Sequence, residues 1–494
     1  MTRKSFILIV ISAALTSLSF HPLNLYFLLW FSLVPLLWAI EEMDPSSVFK
    51  SGVLFGTVFS LLSLFWIVFL QIETTIKLIM LFGLLLLFLY YGLYYGTGLL
   101  IAKRIGIWFL PFILTGLEFI RSIGELGFPW LVFGYSQARY PVIIQQASIF
   151  GVYGVSFWLI LVNVALFKLT ELKRIKNLVI LLLVFSIPLI YGALRIKEPV
   201  GKTMLVGVIQ PDIDPNLKFT KAMRDETFER LISLSETANQ YSKKKFGENL
   251  DLIIWPETAV PVFITFPGKY QNLIFSFVDR TKTPLLTGTP IYESKEHSIY
   301  NGAILIEPDK GITQQYRKMH LVPFGEHIPF DQQLTFLKKI DVGGGKYTPG
   351  TLYTVFELDK TKFSCLICFE SIFPELSRRF VKDGAELLVN ITNDGWFGRI
   401  SGPQQHNDMA ILRTVENGKP LARSSNTGIS MIVNKYGMVL QQTPLFTRAV
   451  LVEKIVFDKE RTVYNILGDI LPAVSLILTT VLLGFWFFNR MRGS

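Results

Sequence analysis

Long apolar runs decide what this chain can become. LFGLLLLFLYYGLYYGTGLLIA (81–102) holds no charged residue. A run of about 18 residues or more is long enough to cross a bilayer as a helix. Comparable runs near 4–20, 24–40, 49–70, 76–101, 107–122, 150–170, 177–195 and 469–488 predict eight transmembrane helices. Residues between 200 and 465 have ordinary globular composition. The expected organisation is a seven-helix membrane domain over 1–195, an external domain over 200–465, and an eighth helix with its tail over 466–494. The first run follows Thr2-Arg3-Lys4 and could pass for a signal peptide. No small-residue cleavage site follows it and another run begins at once, so it is kept as a span.

Basic residues near span ends set orientation. Arg3, Lys4, Lys103, Arg104, Lys173, Arg174, Lys176, Arg490 and Arg492 all fall on one side if both termini are cytoplasmic. The 200–465 domain is then expected outside. The formal charge of +10 is concentrated in these flanking segments. The external domain carries roughly +3 and has no basic stripe interleaved with aromatics, which argues against nucleic acid as a partner. A transporter would place ionisable residues deep within several spans, whereas these spans are almost charge-free at their centres. Glu118, Arg121 and Glu125 stand near the outer end of the fifth run, where such groups mark either function or the interface.

Within 200–465, β-rich runs alternate with helical stretches. The runs are 203–209, 250–255, 283–288, 302–307, 352–358, 362–369, 385–392, 428–434 and 449–456. Several are apolar on both faces, as in buried sheet layers. KAMRDETFERLISLSETANQYSKKK (221–245) and PQQHNDMAILRTVENGKPLARS (403–424) are the helical candidates. The alternation predicts an α/β layered domain.

Three polar stretches abut these strands. LIIWPETAVP carries Glu257, YRKMHLVPFGEHIP carries Lys318 and Glu326, and CLICFESIFPE carries Cys365, Cys368 and Glu370. Side chains alternate across a strand, so Cys365 and Cys368 point to opposite faces and are poorly placed for a disulfide. Zinc needs further ligands. The five histidines, His21, His297, His320, His327 and His406, form no HxxxH, and no second CxxC exists. No metal or cofactor is expected. A single reactive thiol at Cys368, with Cys365 in the core, fits best. A carboxylate can take its proton, a lysine can stabilise an oxyanion, and a second carboxylate can hold the lysine. Spacing alone leaves a Cys–His pairing through His320 or His327 open.

The order WPE, K-x-H-L-V-P-F-G-E and C-F-E resembles the nitrilase (carbon–nitrogen hydrolase) superfamily. With GFPWLVFGYSQ (127–137), YNGAI (300–304), TNDGWFG (392–398), GPQQH (402–406) and ARSSNTGIS (422–430), the whole chain resembles its membrane branch, the bacterial apolipoprotein N-acyltransferases. The resemblance implies an αββα sandwich in the periplasm, on a multi-pass helical domain in the inner membrane. It implies a monomer that moves the sn-1 acyl chain of phosphatidylethanolamine, through a Cys368 thioester, to the α-amino group of a diacylglyceryl-cysteine at an apolipoprotein N-terminus. Its implied roles are general base for Glu257, oxyanion group for Lys318 and nucleophile for Cys368. Glu326, Glu370, Asn301 and Phe369 are the implied supporting residues, and Phe219 and Trp396 the substrate-binding ones. Phe369 and Phe219 stand where family members often have Tyr and Trp, so any role for those O–H and N–H groups is lost. The same residues also serve a lipid-directed amidase that transfers to water.

Overall fold

In a computed structural model, all residues are described except 71–73, 173, 215–216, 218–219, 331–346 and 493–494, together with the side chains of 74–79, 172 and 221–222. The chain divides into two compact units. One comprises Met1–Lys197, Ile400–Asp408 and Ile466–Ser494, the other Glu198–Arg399 and Met409–Asn465.

The first unit is helical. Pro45–Phe69, Met80–Ile105, Ala147–Glu171, Ile175–Arg195 and Ile470–Arg492 are long and apolar enough to cross a membrane; Tyr26–Ile40 and Ile107–Ile120 are shorter apolar helical segments. Helical structure thus falls in every place expected, five of the eight at spanning length. The first run folds as Arg3–Leu18, with Thr2 capping its start. Helices Pro45–Leu64 and Thr74–Ile105 meet through glycines. A Cβ on Gly52 would lie 2.6 Å from the Gly96 Cα, so only small residues permit this approach. Glu118 and Arg121 are buried together at 3.8 Å. Glu118 also accepts the Phe133 N–H at 2.9 Å, and Arg121 lies over the Tyr91 ring at 4.6 Å.

The segment Ile400–Asp408 is bound into this unit by polar side chains. Gln405 accepts from the indoles of Trp66 and Trp130, at 3.1 and 2.8 Å, and donates to the carbonyls of His21 and Ser63. Asp408 pairs with His21 and Arg139.

The second unit is an αββα sandwich. Its strands are β1 (Lys202–Gln210), β2 (Leu252–Ile254), β3 (Leu285–Glu293), β4 (Ser298–Glu307), β5 (Gly311–Arg317), β6 (Val355–Glu357), β7 (Lys362–Ile367), β8 (Leu387–Thr392), β9 (Leu421–Ser425), β10 (Met431–Val433), β11 (Val439–Gln442) and β12 (Ala449–Phe457). They form two six-stranded sheets, β12-β1-β2-β3-β4-β5 and β11-β10-β9-β8-β7-β6. β1, β2 and β3 are parallel, as are β7, β8 and β9. Helices Lys221–Phe246 and Lys269–Thr281 cover the first sheet, burying Phe228, Leu231, Ile274 and Phe277 against Leu205, Ile253, Trp255 and Ile304. Helix Pro374–Lys382 packs on the second.

The expected strands are present, and three more appear. β5 and β11 are polar and half exposed, so they lack the apolar signal. β9 lies inside the stretch expected to be helical to residue 424. The helix ends at Asn417, Gly418 takes φ +65°, and Pro420 precedes the strand. A left-handed glycine and a proline stop a helix, and LARSS then pairs with β8.

Candidate active site

The parallel strands deliver polar residues as they leave the sheets. β2 is wholly buried and runs into Trp255-Pro256-Glu257. Thr258 then turns at φ +48°. This turn is seated on Gly288 of β3, whose N–H reaches the Pro256 carbonyl and whose carbonyl accepts from Val260. The Glu257 carboxylate is left only 7% exposed.

Asn301 on β4 gathers the acidic groups. Its side-chain amide donates to Glu257 Oε1 and to Glu326 Oε1, both at 2.8 Å. Its carbonyl accepts the backbone N–H of Lys318, just beyond β5, at 2.8 Å. The Lys318 ammonium lies 2.8 Å from Glu326 Oε2 and 3.4 Å from Glu257 Oε1. Glu326 Oε2 is steadied in turn by the Val322 N–H at 2.8 Å. Lys318 is 1% exposed. Burial alone would lower its pKa, but the carboxylates of Glu326 and Glu257 outweigh this and hold it above the usual value. The lysine is therefore a fixed cation.

Cys368 follows β7 directly and opens the 3-10 turn Cys368–Ile372 at φ +51°, a conformation uncommon for a residue with a Cβ. The residue as a whole is of intermediate burial, whereas Cys365 is fully buried in β7; neither forms a disulfide. Burial pushes the Cys368 thiol up and the Glu257 charge pushes it further, against the pull of Lys318. At neutral pH the resting group is a thiol. The buried set of Glu257, Glu326, Lys318 and thiol carries one net negative charge. Passing the thiol proton to Glu257 keeps that total constant, whereas losing it to solvent would add a third buried anion and a second net negative charge.

Glu370 performs a different task. It is fully buried, and its Oε1 accepts from Tyr316 Oη at 2.7 Å, Met319 N at 2.7 Å and His320 N at 3.2 Å. Its Oε2 accepts from Ile367 N at 2.7 Å. One carboxylate thus ties the residues after Lys318 to the residue before Cys368. Burial raises it to about 7 despite these donors.

The sequence model of the apolipoprotein N-acyltransferase N-terminal domain matches residues 12–165, and that of the carbon-nitrogen hydrolases matches residues 205–464. An apolipoprotein N-acyltransferase of Geobacter metallireducens is 36% identical, over 95% of this chain and 92% of its own. The chain belongs to the apolipoprotein N-acyltransferase family. Similar relatives of the same description occur in Chlorobaculum tepidum, 32% identical over 97% of this chain and 96% of its own, and in Haemophilus ducreyi, 29% identical over 97% and 95%.

Membership in this family bears out the resemblance legible in the motifs, and the αββα sandwich is the fold it implied. Glu257, Asn301, Lys318 and Glu326 meet in one cluster, with Cys368 under the field of Glu257 and Lys318. Phe369 is 7% exposed and packs edge-on to Phe373. Trp396 lies on the turn Asp394–Phe397 and is partly exposed. Phe219 falls outside the described residues. His320 lies against the Phe373 ring at 4.6 Å, and burial lowers its pKa. Sequence reasoning missed Gly288, Tyr316 and the buried pair Asp394–Arg423. The signal for the last was present in NITND and ARSS, polar residues placed inside strands that are otherwise apolar.

Proposed function

We propose that this chain is an apolipoprotein N-acyltransferase that uses Cys368 as a nucleophile and a phospholipid as acyl donor. Glu257 takes the thiol proton as the sulfur attacks the sn-1 ester carbonyl of a phospholipid such as phosphatidylethanolamine. Lys318 and the backbone N–H of Phe369 stabilise the oxyanion. The tetrahedral intermediate collapses, the proton on Glu257 passes to the departing lysophospholipid oxygen, and a thioester remains. The α-amine of a diacylglyceryl-cysteine then attacks the thioester, gives its proton to Glu257, and leaves as the amide while the thiol is restored. Glu326 and Asn301 keep Lys318 and Glu257 in place, and Glu370 holds the two halves of the site in register. Phe219 and Trp396 are assigned to substrate contact.

The observation that carries this reading is the buried, hydrogen-bonded set of Glu257, Asn301, Lys318 and Glu326 beside a thiol that burial keeps protonated. A family whose relatives are named for apolipoprotein N-acylation supplies the acceptor. Long apolar helices suit substrates whose chains stay in a bilayer. The proposed setting is the bacterial inner membrane, with the residue 200–465 domain on the periplasmic side and the enzyme monomeric.

The test is transfer in phosphatidylethanolamine vesicles. The enzyme is expected to convert a diacylglyceryl-cysteine peptide to its N-acyl amide with equimolar lysophospholipid, and Cys368→Ala to do neither. Lysophospholipid and free fatty acid without amide would make it a hydrolase instead.

A further inference from the structure

The proposed nucleophile has further polar neighbours besides Glu257 and Lys318. β7 and β8 are parallel with Ile367 opposite Ile391, so the next residues, Cys368 just past β7 and Thr392 at the end of β8, stand beside one another. The Thr392 hydroxyl stands within hydrogen-bonding reach of the Cys368 sulfur. That hydroxyl also donates to Asp394 Oδ1 at 2.8 Å. Asp394 Oδ2 accepts from Arg423 Nη2 at 2.7 Å, and Arg423 Nη1 donates to Asn390 Oδ1. An Asp394 carboxylate oxygen lies within 4.8 Å of the sulfur. Thr392, Arg423 and Asn390 are fully buried and Asp394 is 1% exposed.

Burying an ion pair costs several kcal/mol of solvation per ion, and apolar residues of similar volume would pack such a site at less cost. The neighbours Val389, Ile391 and Ala422 show that these strands accept apolar residues. The line Arg423–Asp394–Thr392 ends on the sulfur, and hydroxyl chemistry explains the arrangement. A threonine hydroxyl offers one proton and two lone pairs. While Cys368 is a thiol, Asp394 holds the Thr392 proton, so the Thr392 oxygen can accept the S–H until that proton turns to Glu257. Once the sulfur has given its proton to Glu257, the Thr392 proton can turn to the thiolate, and Asp394 stays compensated by Arg423.

We propose that Thr392 is a further catalytic residue, hydrogen-bonding the reacting sulfur in both its protonation states, and that the Asp394–Arg423 pair is the positioning device that sets its rotation. This rests on Cys368 being the nucleophile. Among the described residues of its own compact unit, the charged groups facing the sulfur are Glu257, Lys318 and Asp394; the nearby Glu370 carboxylate is engaged by its own four donors.

The experiment uses the full chain in lipid nanodiscs in a Cys365→Ala background, which leaves one thiol. The rate of Cys368 alkylation by iodoacetamide is followed by intact mass from about pH 6 to about pH 10. Thr392→Val is expected to displace the pH–rate limb upward by about one unit, a roughly tenfold slower reaction at neutral pH. Thr392→Ser should return to within about twofold of the parent. Asp394→Asn removes a carboxylate that opposes the thiolate, so its limb should move to lower pH, the opposite direction, and Thr392→Ala takes the valine variant's place if that fails to fold. A Thr392→Val limb superimposed on the parent, a shift that Thr392→Ser fails to restore, or an upward shift in Asp394→Asn would overturn the proposal. A parent whose Cys368 resists alkylation throughout would overturn the nucleophile assignment itself, and this proposal with it.

Discussion

Replacing Gly288 with alanine adds one methyl group beneath Glu257 and alters no charge or hydrogen-bonding group. The new Cβ would stand 2.5 Å from Thr258 N, 2.7 Å from Glu257 Cα and 2.7 Å from the Pro256 carbonyl oxygen. All three are backbone atoms, so no side chain can swing aside. Ordinary contact begins at 3.4 Å, and relief requires the turn after β2 to move by about 0.9 Å. Hydrogen bonds between Gly288 and both Pro256 and Val260 oppose that movement. The Glu257 carboxylate, now 2.8 Å from Asn301 Nδ2, would be carried out of position. A misplacement of about 1 Å at a reacting group costs about 100-fold in rate, or about 2.7 kcal/mol of barrier. Overpacking should also cost about 1–3 kcal/mol of stability. The assay is the rate of acyl-enzyme formation from phosphatidylethanolamine, with lipid affinity measured in parallel. We expect a loss of about 100-fold in rate with affinity within about threefold. Gly268→Ala is the control, since its Cβ meets nothing within 4 Å, and it should behave as the parent. A folded Gly288→Ala enzyme within about threefold of the parent rate would refute the reasoning that backbone contact holds Glu257 in place.

Glu326→Gln keeps the shape but leaves Lys318 buried with one carboxylate fewer; acyl-enzyme formation should slow by about 100-fold, with a melting temperature lowered by a loss of about 2–3 kcal/mol. Asn301→Ala removes the donor shared by Glu257 and Glu326, at an expected cost of about 1–3 kcal/mol, read by thermal unfolding. Glu370 makes a pH prediction with a definite sign. Its carboxyl is raised from 4.5 to about 7 by burial, so between these values the folded chain holds a proton that the unfolded chain has released. Stability from this group is greatest at the acid end and falls by about 3 kcal/mol as pH rises through that window. Melting curves at about pH 5 and pH 8 should show this slope in the parent and its loss in Glu370→Gln; a parent slope unchanged by the substitution would contradict the assignment. Cys365→Ala should retain activity while Cys368→Ala abolishes it, and equal loss in both would revive a redox pair.

Much of this was legible because strong physical constraints leave strong marks. Uncharged runs mark the helices long enough to span a bilayer, and strands apolar on both faces mark buried sheet layers. Glu257 and Cys368 stand out as polar residues close after such strands, and Lys318 through the motif K-x-H-L-V-P-F-G-E that carries it. β5 and β11 were not legible, because edge and half-exposed strands such as GITQQYR need no apolar pattern. β9 was hidden by its helical neighbour, and only Gly418 and Pro420 betray the break. Gly288 carries no chemistry of its own, and its importance lies in a 2.5 Å approach that only coordinates reveal. The convergence of Glu370 on Tyr316, Met319 and Ile367 joins positions about fifty residues and three residues before it in the chain, which spacing cannot show.

The most direct test of the central claim is the intact mass of the enzyme after incubation with phosphatidylethanolamine and no acceptor. The account predicts one acyl chain on Cys368, released by hydroxylamine, absent from Cys368→Ala, and discharged as an amide by a diacylglyceryl-cysteine peptide. No adduct with any phospholipid, or an adduct that persists in Cys368→Ala, would contradict it.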